Sequence, residues 1–385
     1  MIEFEWPIKN TRIERNIRVR SHNDIHLDER AALWLVHKFA SEQFLQKYCS
    51  DGILYLGVEE GPFDDHRSSN NKTEGHEECC TTLVAKALGV LGKPELADII
   101  EEVRRCDTKR GVRPLELASI VKAFNLPFVQ GKRQQEQITR FVFFALETKY
   151  CEQRHFHQKT AKEYEKRRVE KVKTGLDGGK TLKIVTVESS DPLIQKFCRS
   201  PFGDRAAVLI QRWPDTGNVQ IFTDMDRQRV YLDDVARMIR QEEREARNSA
   251  KEILPWSMLV NPVVPGAGNW YYHKGTLLNG SLSHPNVKPT RLSLNRIQQI
   301  VRVGINPSSF HRDFEGDCRR GICASTVANP CPLYIFGLYR CREIRFKSKQ
   351  REQKLREHRE SGEDRNKVHR DGNRHGVRDT RDIRR

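Results

Sequence analysis

Two short apolar runs, each ending in a knot of acids and imidazoles, constrain this chain more than any other feature. Ile17 and Val19 lead into His22-Asn-Asp-Ile-His26-Leu-Asp28, and Ile53-Leu-Tyr-Leu-Gly-Val58 leads into Phe63-Asp64-Asp65-His66. A continuous apolar run such as Ile53 to Val58 is the pattern of a strand buried in a parallel sheet. After the first run, Ala31, Ala32, Leu35, Val36 and Phe39 recur at helical spacing. Asp28 and Glu29 then fall in the first helical turn, where negative charge is favoured. Leu83, Val84, Ala87 and Leu88 make another helical face, closed by Gly89 and Gly92. The alternation predicts an open α/β sheet, and in such sheets ligands gather beyond the carboxyl ends of the strands, where His22 and Asp64 stand.

The residue types suit metal-assisted phosphate chemistry. His22, His26 and Asp28 are spaced so that one loop can aim three ligands inward, and Asp64 with His66 can complete the site from a neighbouring strand. Cleaving a phosphate ester requires a nucleophilic water near neutral pH and neutralised phosphoryl charge, which two cations roughly 3.5–4 Å apart supply together. Carboxylates can bridge such ions and neutral imidazoles fill the outer positions. Mixed oxygen and nitrogen donors favour Mn²⁺, and less strongly Mg²⁺, over thiolate-held zinc.

These segments resemble the DHH phosphoesterase superfamily. His22-x-x-x-His26-x-Asp28 is similar to its first motif, with His26 in place of an Asp. The following Glu29-Arg-Ala31-Ala32 looks like the opening of the melanocyte-proliferating-gene exonuclease branch, one residue shorter before His26. Phe63 to His66 is similar to the signature Asp-His-His, with Asp65 replacing the middle His. Cys80 to Gly89 looks like the helix after that signature, and Ile100 to Asp107 resembles the segment carrying the fourth-motif Asp. The resemblance implies His22, His26, Asp28, Asp64, His66 and Asp107 as ligands of two Mn²⁺ or Mg²⁺ ions, with Asp65 or His66 handling protons. It also implies an Asp at the end of the strand before the signature. Here Tyr55 or Gly57 stands there, and Glu59 or Glu60 could substitute from the loop. Near the end of the same branch, His273-Lys-Gly275 to Asn279-Gly280 resembles a Gly-rich segment. Flexible Gly backbone lets phosphate approach amide groups, which makes His273, Asn279 and Gly280 the candidate substrate cradle, against the alternative of a tight hairpin.

With 385 residues the chain has room for two domains, and 37% hydrophobic against 31% charged residues suggests that part of it is unpacked. A formal charge of +16 favours a polyanionic partner. The expected layout is α/β: a parallel-sheet, DHH-like metal-binding domain over 1–133, a helical connector over 134–175, a smaller α+β substrate-binding domain over 176–346, and a disordered basic tail over 347–385. In the third segment, strands are expected at Leu182–Val187, Ala207–Ile210, Val219–Phe222 and Trp270–His273, with a helix from Leu232 to about Arg247. No apolar run approaches the roughly 20 residues of a membrane span. With no secretory signal, the ten cysteines read as reduced thiols in a cytoplasmic protein. Cys318, Cys323, Cys331 and Cys341 form a loose cluster without the Cys-x-x-Cys pairs of a strong zinc motif. His76, Cys79 and Cys80 offer another metal set, with the two cysteines also suited to opening a helix. The expected function is a metal-dependent phosphoesterase, a 3′-5′ type exonuclease on RNA or DNA. The alternatives are a small-nucleotide phosphohydrolase and a non-catalytic nucleic-acid or nucleotide-binding relative.

Overall fold

The computed structural model describes residues 1–50, 52–58, 61–64, 78–108, 112–126, 135–173, 180–249, 254–255, 257–281, 283–284, 286–306, 310–329, 331, 333–334 and 338–372, with side chains up to 358. It divides into two compact units, Met1–Lys162 and Glu163–Arg385. No helix among the described residues is long and apolar enough to cross a membrane.

The first unit carries a four-stranded sheet in the order β1-β2-β4-β3, with β1 (Ile2–Lys9), β2 (Glu14–Ser21), β3 (Cys49–Ser50) and β4 (Ile53–Tyr55). Only β2 and β4 run parallel; β1 pairs antiparallel with β2, and β3 with β4. The expected parallel sheet is therefore mixed, because the Glu14–Ser21 segment turns back on Ile2–Lys9 as a hairpin before the first helix is reached. Around the sheet lie α1 (Leu27–Phe39), α2 (Glu42–Tyr48), α3 (Cys80–Ala87), α4 (Pro94–Thr108), α5 (Leu117–Phe124) and α6 (Gln135–His155). Helix α1 is buried over Leu27–Val36, and full burial of one Leu or Val side chain is worth about 1.5–3 kcal/mol. Its Arg30 is itself buried, donating to the Ile25 and Gln135 carbonyls at 3.3 and 3.0 Å and to the side chains of Gln135 and Thr139. Val142, Leu146 and Tyr150 of α6 belong to the same core. The first half of the segment expected as a connector, Gln135–His155, thus packs into the core of the first unit.

A single π-helical turn, Phe156–Thr160, leads to α7 (Ala161–Glu165) and the second unit. Its sheet has the order β5-β6-β7-β8-β10-β9, built from β5 (Arg168–Lys173), β6 (Thr181–Glu188), β7 (Val208–Arg212), β8 (Val219–Thr223), β9 (Tyr271–His273) and β10 (Thr276–Leu278). Only β6 and β7 pair in parallel. The four strands and the helix anticipated here are present within a residue or two, the helix as α10 (Asp233–Ala246). Strand β5 falls in the expected connector: Arg168-Val-Glu-Lys-Val-Lys173 alternates across an edge strand, a period-two pattern hidden in a charge-rich run. The remaining helices are α8 (Ile194–Arg199), α9 (Met225–Gln228), α11 (Leu294–Gly304), α12 (Glu315–Arg319) and α13 (Tyr339–Gly372). Side chains of α10 and α11 close the core over the sheet. Spanning Glu163–Arg385 against Met1–Lys162, this unit is the longer of the two, not the smaller. The tail expected to be disordered from 347 is helical to Gly372; its Lys, Arg, Glu and Gln residues are strong helix formers, and pairs such as Gln353 with Glu357 at 3.2 Å add support. Residues 373–385 lie outside the described set.

Candidate metal centre

Parallel pairing of β2 with β4 sets the geometry. Their register, Val19 against Leu54, and the hydrogen bond from Leu56 N–H to the Arg20 carbonyl at 3.0 Å send both following loops off the same end of the sheet. The first loop carries His22 and His26 and ends in α1, where the Glu29 carboxylate accepts the His26 N–H at 2.9 Å. Asp28, buried in the first turn, reaches across to the start of α3. Its two carboxylate oxygens accept the N–H groups of Cys80 and Thr81 at 2.7 and 2.8 Å, and its carbonyl accepts the Thr81 hydroxyl at 2.8 Å. Two helix N-termini therefore meet at one carboxylate, and both favour negative charge there.

Asp107, on the last turn of α4, comes to the same point. Asp28, Cys79 and Asp107 each offer one ligand atom, and these atoms all lie within 4.8 Å of one another. Asp28 and Cys79 are buried whereas Asp107 is exposed, so the cluster opens to solvent on the α4 side. Burial pushes the Cys79 thiol far up, and the charges of Asp28 and Asp107 push it further. The Glu29 carboxyl, buried beside Asp28 and within the field of Asp107, is pushed up to about 8. An acid-rich pocket that raises its neighbours in this way fits a cation, with two carboxylates and the Cys79 sulfur as the ligand atoms brought together. The His22 and His26 rings are stacked at 6.4 Å beside it, and His22 Nε2 is 3.9 Å from Glu29 Oε1. Burial, and then the neighbouring His22, hold the His26 imidazole below its ordinary value, so it is neutral at pH 7 and available as a donor.

A second acidic group, Glu102, Cys106 and Glu116, differs in one decisive respect. Arg105 already sits between its carboxylates, at 2.7 Å from Glu102 and 2.9 Å from Glu116. That group is an internally neutralised surface cluster.

Of the residues expected to bind metal, Asp28 and Asp107 are brought together, whereas among the described residues neither His22 nor His26 joins them within 4.8 Å. Asp64 is buried after Phe63, which stacks on Phe44 at 6.1 Å and accepts the Gly57 N–H at 3.3 Å. Asp65, His66, Glu59, Glu60 and His76 lie outside the described residues. Cys79, expected in a separate metal set with His76 and Cys80, stands instead with Asp28 and Asp107. Glu29 was missed by motif reasoning. Gly57 adopts φ +65°, and a Cβ there would stand 2.9 Å from Glu29 Cγ and 3.0 Å from its Oε1. The space that a side chain at the expected Asp position would need is filled by Glu29. Gly57→Ala should accordingly destabilise the first unit by at least about 1 kcal/mol, through positive φ and the collision together. Chemical denaturation checks this, with Gly89→Ala, at φ +67° but in open space, separating the clash from the backbone cost.

The expected substrate cradle is structural. His273 pairs with Thr276 across β9 and β10, and Lys274 and Gly275 both have positive φ, which makes a two-residue hairpin turn. Asn279 is fully buried, and its amide is committed within the protein. Its Nδ2 donates to the carbonyls of Asn269 and Lys288 at 2.8 and 2.9 Å, while its Oδ1 accepts Thr290 N–H at 2.8 Å and Asn218 Nδ2 at 3.3 Å. Gly280, at φ +81°, passes so close to Asn218 that a Cβ would stand 2.8 Å from its Nδ2. Local spacing of Gly and Asn signalled a tight turn, and its polar atoms are spent on the fold.

No family model and no curated protein matches the chain.

Proposed function

We propose that this protein is a divalent-cation-dependent phosphoesterase cleaving phosphodiester bonds, a 3′-5′ type exonuclease on RNA or DNA like the branch its N-terminal motifs resemble. The observation that carries the reading is the meeting of Asp28 and Asp107, from separate helices, with ligand atoms within 4.8 Å of one another. In this reading His22, Asp28 and Asp107 hold one Mn²⁺ or Mg²⁺, and His26, Asp64 and His66 hold a second. When bound, such ions make a water nucleophilic near neutral pH and offset phosphoryl charge. The chain's own contribution is orientation. The Cys80 and Thr81 N–H groups fix the Asp28 carboxylate by one lone pair on each oxygen and leave the others for a cation. The Glu29 carboxylate ties down the His26 backbone, and so the loop bearing both imidazoles. Asp65 or His66 is assigned the proton transfer on resemblance.

The test is hydrolysis by the full chain, with Mn²⁺, of labelled short RNA, short DNA and cyclic dinucleotides. Stepwise shortening of a strand supports the reading, and cleavage of the cyclic dinucleotides alone replaces it with a small-nucleotide phosphohydrolase. The run Ile53–Val58 favours a second reading, a binding protein without turnover, because the family it resembles places an Asp where Tyr55 or Gly57 stands. Tight oligonucleotide binding with no cleavage under any divalent ion would establish it.

The net charge of +16 and the basic residues of α13 suit a polymeric anion. Each Lys or Arg neutralising a single-strand phosphate steepens the salt dependence by roughly 0.7 in log affinity per log salt. Removing residues 359–385 spares Ser348 and Arg351, which hold the Gly321–Cys323 turn and the Arg320 carbonyl. The truncated chain should bind oligonucleotides more weakly and with a shallower slope while turning over saturating short substrate at the same rate; equal slopes would place the anion contacts elsewhere.

A further inference from the structure

Register sorts the side chains of the second sheet into two faces. Ile221, Leu277 and Tyr272 are paired in turn across β8, β10 and β9 and are buried in the core under α10 and α11. Alternate residues of a strand point to opposite faces, so the flanking rows stand on the other side. One row runs from Val185 and Leu209, both buried where α8 packs against β7, through Phe222 and Thr276 to His273. The next row ends in Leu278 and Tyr271. Burial falls away toward β9: Phe222, Thr276 and Leu278 are half-buried, His273 is exposed, and Tyr271 is 44% exposed.

Three rings thus share one sheet surface whose backbone is fixed by the β8-β10-β9 ladder. Neighbouring strands lie about 4.8 Å apart and alternate residues of one strand about 6.6 Å, so each ring has room for a partner of its own. Among the residues of these three strands on that surface none is acidic, and cations flank it. Lys274 is exposed in the turn after His273, and Arg199 of α8 donates its Nη2 to the Thr223 carbonyl at 2.8 Å, which sets the guanidinium at the end of β8 beside Phe222. Asp224, next along, caps α9 by accepting the Arg227 N–H at 3.4 Å.

The charge of the whole unit points the same way. Residues 163–385 carry 43 Lys and Arg against 28 Asp and Glu, whereas residues 1–162 carry 25 against 24, so the second unit holds nearly all of the +16. Aromatic rings on a sheet within a cationic unit fit a polyanion that also offers flat apolar faces. A single-stranded nucleic acid is such a ligand: its unpaired bases stack on aromatic side chains while its phosphates meet Lys and Arg.

We infer that the outer face of β8, β10 and β9 is a stacking platform for the bases of a single strand of RNA or DNA, with Phe222 and Tyr271 as the principal rings and Lys274 and Arg199 on the phosphates. The inference rests on the proposed function only in taking a nucleic-acid strand as the ligand, and it requires no cleavage. The test is binding of the full chain, with divalent ions chelated, to a labelled short oligonucleotide and to an abasic sugar-phosphate strand of equal length. The wild type should prefer the strand with bases by about tenfold or more. Tyr271→Ala should lose most of that preference with its salt slope unchanged, and Tyr271→Phe should keep it; Lys274→Ala should make the slope shallower by roughly 0.7. Equal affinity for the two strands, no binding of either, or an undiminished preference in Tyr271→Ala overturns the inference. Mn²⁺-dependent cleavage is assayed separately. Base-dependent binding without cleavage leaves the platform and removes the phosphoesterase, and cleavage without base-dependent binding does the reverse.

Discussion

Asp107→Asn should abolish Mn²⁺-dependent hydrolysis, by roughly 10²-fold or more, and cost the fold less than Asp28→Asn. The scale is that of removing one charged group aimed at the reacting centre. Asp107 is exposed at the end of α4, whereas Asp28 is buried. Asp28→Asn should behave differently, losing activity and stability together. Both Asp28 oxygens accept N–H groups at the start of α3. An amide would set its own NH₂ against one of them and leave a buried donor unmet, at a cost of about 1–3 kcal/mol. Motif spacing alone predicts the same outcome for the two carboxylates. The contrast comes from Asp28 being a helix anchor as well as a candidate ligand. Hydrolysis assays paired with urea melts of the two variants check it, and unaltered turnover in Asp107→Asn would remove the site as drawn.

A second large effect is expected far from any motif. Glu243 is fully buried in α10, and its carboxylate accepts Thr290 Oγ1 and Arg247 Nε at 2.5 Å, Asn269 Nδ2 at 3.0 Å, Trp270 Nε1 at 3.3 Å and Arg291 N–H at 3.2 Å. Burial would raise its pKa, but the hydrogen bonds from Thr290, Arg247 and Arg291 outweigh it and hold the carboxyl below its ordinary 4.5. A depressed folded pKa means that the stabilisation is present above about pH 4.5 and is lost as the pH falls through the lowered value. Glu243→Ala strands all these donors and should destabilise the second unit by about 3–5 kcal/mol at pH 7. Hydrogen exchange is the suitable readout, because one melting curve need not report two units. Protection should fall in α10 and β9 and stay intact in α1. Uniform loss across both units, or none, would contradict the assignment.

Periodicity made the local elements legible. Apolar runs located β2, β4 and β6 to β9, and helical spacing located α1, α3 and α10. The antiparallel partner of β2 and the charge-rich β5 depend on which surfaces meet, which alternation and spacing do not encode. In the site, His22, His26 and Asp28 stand out because one loop carries them, and Asp107 because its segment resembles a motif. Cys79, legible as a metal candidate, meets Asp28 and Asp107 only in the fold, and Glu29 gains its role only when the Gly57 turn folds against α1. Asn279 shows the converse: a Gly-flanked Asn has the look of a ligand-binding turn, and every polar atom of its amide is used inside the fold.

The central claim, that Asp28 and Asp107 frame a divalent-cation site, is tested most directly by calorimetric titration of Mn²⁺ into the full chain and into Asp107→Asn. Saturable binding by the wild type, weakened at least about tenfold by the substitution, is the predicted result. Binding of equal strength in both proteins, or none in the wild type, would contradict it.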